Sequence, residues 1–121
     1  MPRPIFGYLR RLPGMDKEAL HRAVGELVAF TEREGFFLTG VHFERRPSER
    51  LRVWAELIMG CRGEGVPDIV VPSADHFHST PEIAAFMREE LAEKIRGTVW
   101  LAGLAGGSIS MTGEAAAPRE P

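Results

Sequence analysis

Three groups of side chains in this sequence belong to types that do chemistry. The first is Tyr8-Leu9-Arg10, at the end of an apolar run. A guanidinium at such a place offers a rigid fork of donors to an oxyanion, the usual task of arginine at a phosphoryl centre. The second is Asp75-His76-Phe77-His78, with Ser73 and Ser79 on either side. Carboxylate, imidazole and hydroxyl are the materials of acid–base, nucleophilic or metal chemistry. The third is the basic cluster Arg45, Arg46, Arg50 and Arg52, which could contact phosphate. Cys61, beside Arg62, would be a nucleophile if its thiol were acidic.

Each group also has a plainer reading. His76 and His78 stand at i and i+2, and His42 ends another candidate strand, but no closed ligand set with metal spacing exists. A single cysteine excludes an intrachain disulfide and paired-cysteine zinc sites. No metal is expected, and the histidines are read as polar groups lining a crevice. Asp75 is expected to pair with Arg10, both at the carboxyl ends of neighbouring strands. Glu44, Glu49 and Glu56 are interleaved with the basic cluster, which suits a solvated helix start. Cys61 falls on an apolar helix face and reads as a small core residue. The net charge of -2 argues against autonomous, non-specific duplex binding, which needs an excess of Lys and Arg.

The elements that must position these groups alternate. Residues 4–9 form an apolar run, the first expected strand. A helix is expected over 16–34, with Asp16 as N-cap, Gly35 as stop, and Leu20, Val24, Leu27, Val28 and Thr31 on its inner face. Residues 36–43 read as a second strand in which one of Phe36 and Phe37 points outward. A second helix is expected from Ser48 to about Gly60, with Leu51, Trp54, Ala55, Leu57 and Ile58 inward. Ile69-Val70-Val71 has the β-branched continuity of a strand buried on both faces. A third helix opens at Thr80-Pro81, buries Ile83, Phe86, Met87, Leu91 and Ile95, and ends at Gly97; residues 98–101 make the fourth strand.

Such alternation implies an α/β fold: a three-layer, mostly parallel four- or five-stranded sheet with helices on both faces. With 121 residues there is room for one domain, taken as 1–104, followed by a disordered tail over 105–121 in which Ser108-Ile109-Ser110-Met111 has the alternation of a short edge strand. A hydrophobic content of 44% suits a globular chain, and no apolar run reaches the ~20 residues of a membrane span. The opening Met1-Pro2-Arg3-Pro4 lacks a signal-peptide core, so a cytoplasmic location is expected.

The chain resembles the N-terminal catalytic domain of serine recombinases, the resolvase/invertase family. The likeness runs over residues 4–103 and is carried by Gly7-Tyr8-Leu9-Arg10, by residues 30–36, by Arg46-Pro47 with Leu51 and Leu57 downstream, and by residues 69–77. The resemblance implies a resolvase-like fold and a serine that attacks a DNA phosphate, assisted by arginines. The family's Tyr-x-Arg-x-Ser pattern reads Tyr8-Leu9-Arg10-Arg11-Leu12 here, so leucine takes the place of the nucleophile. Arg10 and Asp75 match positions of the family's site, His76 replaces its next arginine, and Arg45 or Arg46 corresponds to the arginine before proline. The family's long dimerisation helix and helix-turn-helix domain have no counterpart in this sequence.

The resulting expectation is a catalytically inactive resolvase-like domain with a regulatory or protein-interaction role, linked to a DNA-associated system. Its partners would be a second copy or another protein, with DNA contacted weakly or through that partner, and no cofactor. The alternative is a small α/β ligand-binding protein or enzyme that holds an anion near Arg10, Asp75 and His76. Residual nucleic-acid contacts would then fall to Arg10, Arg45, Arg46 and His76.

Overall fold

A strand with five consecutive buried residues must lie inside a sheet and be covered on both faces. That strand is β1 (Arg3–Arg10), in which Ile5 to Leu9 are all buried. A computed structural model describes residues 2–103; the tail and edge strand expected beyond residue 104 lie outside the described residues. After β1 come α1 (Lys17–Glu34), β2 (Phe36–Glu44), a 3₁₀ turn, α2 (Arg50–Glu64), β3 (Asp68–Val71), a second 3₁₀ turn at Ala74–His76, α3 (Pro81–Ile95) and β4 (Thr98–Leu101). The four strands form one parallel sheet in the order β2-β1-β3-β4.

The core has two halves, one on each sheet face. Ile5, Leu9 and Val70 pack with Ala23, Leu27 and Phe30 of α1. Phe6, Tyr8, Ile69 and Val71 pack with Val53, Leu57 and Cys61 of α2 and with Ala84, Leu91 and Ile95 of α3. Gly7 permits the first half to close, since a Cβ there would meet Leu27 Cδ1 at 3.0 Å. Phe36 is buried and Phe37 exposed, as their adjacency requires.

Local signals set most boundaries. The Asp16 carboxylate accepts a 2.8 Å hydrogen bond from the Ala19 amide, and Gly35 closes α1 in the left-handed region at φ 78°. Two expectations need correcting. The second helix does not stop at Gly60 but runs to Glu64, where Gly65 at φ 69° ends it. Gly60 is helical and faces the Phe6 ring, which a Cβ there would meet at an ordinary contact distance of 3.5 Å. The inner faces of the helices are also rotated from those expected. The buried rows are Val53, Leu57 and Cys61 on α2 and Ala84, Leu91 and Ile95 on α3, which leave Leu51, Ile83 and Phe86 exposed.

One irregularity matters for the site. The β1–β2 register slips between Ile5↔Leu38 and Phe6↔Gly40, so β2 carries one extra residue, Thr39. A bulge of this kind turns every later side chain to the opposite face. It makes Glu44 the register partner of Arg10. At the other end of the sheet, β4 is an edge strand. Arg88 of α3 reaches over it and donates from Nε and Nη2 to the Val99 carbonyl, at 2.9 and 2.7 Å.

Candidate functional site

Sequence order in the sheet reverses between β1 and β3, and the crevice beyond the carboxyl ends of strands at such a switch point is where open α/β sheets bind ligands. Arg10 ends β1 at this crevice, and the 3₁₀ turn holding Asp75 and His76 follows β3. At the centre is Glu44, whose carboxylate is 1% exposed. It accepts from three donors: Tyr8 Oη at 2.8 Å, Arg10 Nε at 3.0 Å and Arg50 Nε at 2.9 Å. The Phe77 carbonyl receives the same two guanidinium groups, from Arg10 Nη1 at 3.3 Å and Arg50 Nη2 at 3.2 Å. Two cations, one buried anion and one carbonyl thus lock β1, β2, α2 and the segment after β3 together.

His76 completes the arrangement. It is buried, and its Nδ1 accepts the Arg10 backbone N–H at 2.9 Å. An imidazole in that role must keep the nitrogen unprotonated. Burial, reinforced by the Arg10 charge and opposed by Asp75, pulls its pKa down to about 4. Tyr8 is moved the other way: burial and the bond to Glu44 push its phenol well above the ordinary tyrosine range.

The expected Arg10–Asp75 pair is replaced by Arg10–Glu44. Asp75 lies on the exposed side of its 3₁₀ turn, whereas the β2 bulge delivers Glu44 directly opposite Arg10. Arg45 and Arg46 are both exposed; Arg45 extends over the Phe43 ring, 5.8 Å from its centroid. The arginine of that cluster that reaches the crevice is Arg50, which the expected site omitted. The clue was available in the sequence: an arginine in the first turn of a helix that starts just after β2 stands next to the strand ends. The basic cluster is divided further, because Arg52 pairs with Glu49 and Glu56 on the helix surface.

The remaining candidates disperse. Nδ1 of His78 accepts the Thr80 amide, and His42 packs edge-on to Phe6 on the sheet face. Among the described residues, no group of three or more His, Cys, Asp or Glu side chains converges as metal ligands. Cys61 is buried and its thiol is pushed up to about 11 by that burial, which removes it as a nucleophile. A depression of about 400 Å³ lies elsewhere, between α3 and the edge strand β4. Alanines line much of it, and its one cation, Arg88, is committed to Val99. No described helix is long and apolar enough to cross a membrane.

A parallel β2-β1-β3-β4 sheet covered by one helix on one face and two on the other, with tyrosine and arginine at the end of its first strand, defines a resolvase-like fold. Among solved structures the fold is similar to that of the C-terminal catalytic domain of ISC1926 TnpA, an IS607-like serine recombinase. The two superpose with a TM-score of 0.64 at 16% sequence identity, over 82% of this chain and 67% of the other. No family model matches the sequence, and neither does any curated protein.

Two outcomes follow from the geometry. Replacing Glu44 by Gln leaves two guanidinium groups facing a neutral amide, and loss of one partner from a buried ionic cluster costs about 3–5 kcal/mol. Tyr8→Phe, which removes one hydrogen bond to a charged acceptor, should cost only about 1.5–3 kcal/mol. Urea denaturation at neutral pH measures both, and equal losses would contradict the central role of Glu44. His76 gives a pH signature. Its folded pKa of about 4 lies below its ordinary 6.5, so the unfolded chain binds the extra proton first. Its contribution is complete above pH 6.5 and declines as pH falls towards 4. In His76→Asn the dependence of stability on pH should flatten across that window, relative to the parent protein.

Proposed function

We propose that this chain is a catalytically inactive serine-recombinase-like domain that acts through protein contacts in a DNA-associated system. The observation that carries the reading is Leu12, in the turn directly after the strand that ends in Arg10. By resemblance this is the place of the attacking serine, and an isobutyl group has no oxygen to give to a phosphorus atom. A missing electrostatic donor slows a reaction by roughly 10²–10³, but a missing nucleophile removes the covalent route altogether. The state of the arginines agrees. Arg10 and Arg50 spend their Nε donors on Glu44 and further donors on Phe77, so both serve to hold the strand ends together.

Incubation with supercoiled plasmid, followed by denaturing electrophoresis, should yield neither a protein–DNA adduct nor relaxed circles. A phosphoserine-linked product would overturn the reading.

A second reading has one observation in its favour. Arg10 and Arg50 bring two positive charges to one buried carboxylate, and their side chains remain 15% and 23% exposed at the switch point. On that reading the crevice holds an oxyanion. Adding inorganic phosphate at 100 times its dissociation constant would then stabilise the fold by about 2.7 kcal/mol, with saturation. Arg10→Gln, compared with its own phosphate-free melt, would lose that increment. The primary reading expects no saturable shift.

A further inference from the structure

Arg88 is half-buried between α3 and the edge strand β4, where it lines the depression of about 400 Å³. Burial pulls its pKa below the ordinary arginine value, an effect only partly offset by Glu89. A desolvated cation is costly unless it is paired. Arg10 and Arg50 share Glu44 as their counter-ion. Arg88 has no carboxylate partner among the described residues; its Nε and Nη2 donate to a neutral acceptor, the Val99 carbonyl, at 2.9 and 2.7 Å. A guanidinium presents its N–H groups as a side fork, Nε with Nη2, and an end fork, Nη1 with Nη2. Val99 takes the side fork. Nη1, and with it the end fork, meets no acceptor among the described residues.

The walls on either side of Arg88 differ. Towards the start of α3 they are apolar: Pro81, Ala84, Ala85, Ala74 and, from β4, Leu101. Towards its end they include Gly97 and Thr98. The helix rises about 10 Å from Arg88 back to Pro81, the span of a straight chain of roughly six to eight carbons. A volume of about 400 Å³ falls within the range of small-molecule sites, which are mainly apolar with a few placed polar groups. We propose that the α3–β4 groove binds a small amphipathic carboxylate, its two oxygens on the end fork of Arg88 and its hydrocarbon chain along Ala84 and Ala85 towards Pro81. Charge and shape specify this occupant. One cation balances one carboxylate, and Glu89, exposed at the rim, disfavours a doubly charged head group. Pairing of a carboxylate with a guanidinium fork is bidentate, and it strengthens where water is scarce. A peptide adding to the sheet edge is the poorer fit, because the Val99 carbonyl that it would need is already taken. The groove shares no residue with the Arg10–Arg50 crevice, so the inference is independent of Leu12 and of any phosphate bound there.

Octanoate is the probe, and amide NMR spectra of the full chain are the readout. Titration to roughly 20 mM should move the signals of Ala85, Val99 and Leu101 saturably, with a dissociation constant on the order of 1 mM for a ligand of about ten heavy atoms. Octanamide keeps the shape and loses the charge, and should bind at least about tenfold more weakly. Arg88→Met should weaken octanoate by a similar factor. Ala85→Leu keeps the cation and fills the groove, and should abolish the saturable shift. Ala85 is exposed on a helix and leucine is a good helix former, so a thermal melt of this variant should match the parent. The absence of a saturable shift overturns the proposal, as do shifts that map outside the groove, equal binding of octanamide, or binding retained in Ala85→Leu. Nuclear Overhauser contacts between residues 104–121 and the groove in the free protein would also overturn it, since the chain itself would then be the occupant.

Discussion

The carboxylate of Glu44 is the charge that holds the upper edge of the domain together. Four parallel strands end there, and parallel strands have no hairpins to tie their ends to one another. Glu44 supplies the tie. It binds the phenol of Tyr8 on β1, the guanidinium of Arg10 at the end of β1 and that of Arg50 at the start of α2. The arginines carry the link onward to the Phe77 carbonyl, and His76 secures the Arg10 amide. A buried carboxylate is expensive unless fully paired. Its three close donors meet that cost, and for the same reason none of the four residues can be altered alone without consequence.

The network depends on a backbone irregularity. Were Thr39 paired in register with Phe6 instead of bulged, Arg10 would stand opposite Phe43, and Glu44 would turn towards the apolar α1 face of the sheet. One additional residue exchanges an unpaired charge in an apolar layer for a satisfied one in the crevice. Bulges beside functional crevices commonly re-aim a side chain in this way, and here the side chain re-aimed is the anion at the centre.

Much of the fold was legible in the sequence because its signals are local. Asp16, Gly35, Thr80-Pro81 and the β-branched run at 69–71 mark ends and strands through the chemistry of single residues. The site was legible only in part. Arg10 was visible from its place at the end of an apolar strand, and His76 from its place after another. Glu44 was hidden, since it was counted as one of the acids balancing the basic cluster, and the bulge that recruits it leaves no periodic trace. Arg50 was counted within that cluster for the same reason. Helix phase was misjudged where apolar residues ring the helix: α2 and α3 have hydrophobic groups on both sides, and packing selected the rows with the small residues Cys61 and Ala84.

The Arg88 fork over β4 has a bearing on solubility. The free rim of a sheet is a template onto which a foreign strand can zip, and proteins are at hazard there whenever they are concentrated. Here the outward Val99 carbonyl is already taken twice by a cation anchored on α3. A stray chain seeking that oxygen would have to evict a guanidinium, so this rim resists strand addition at Val99.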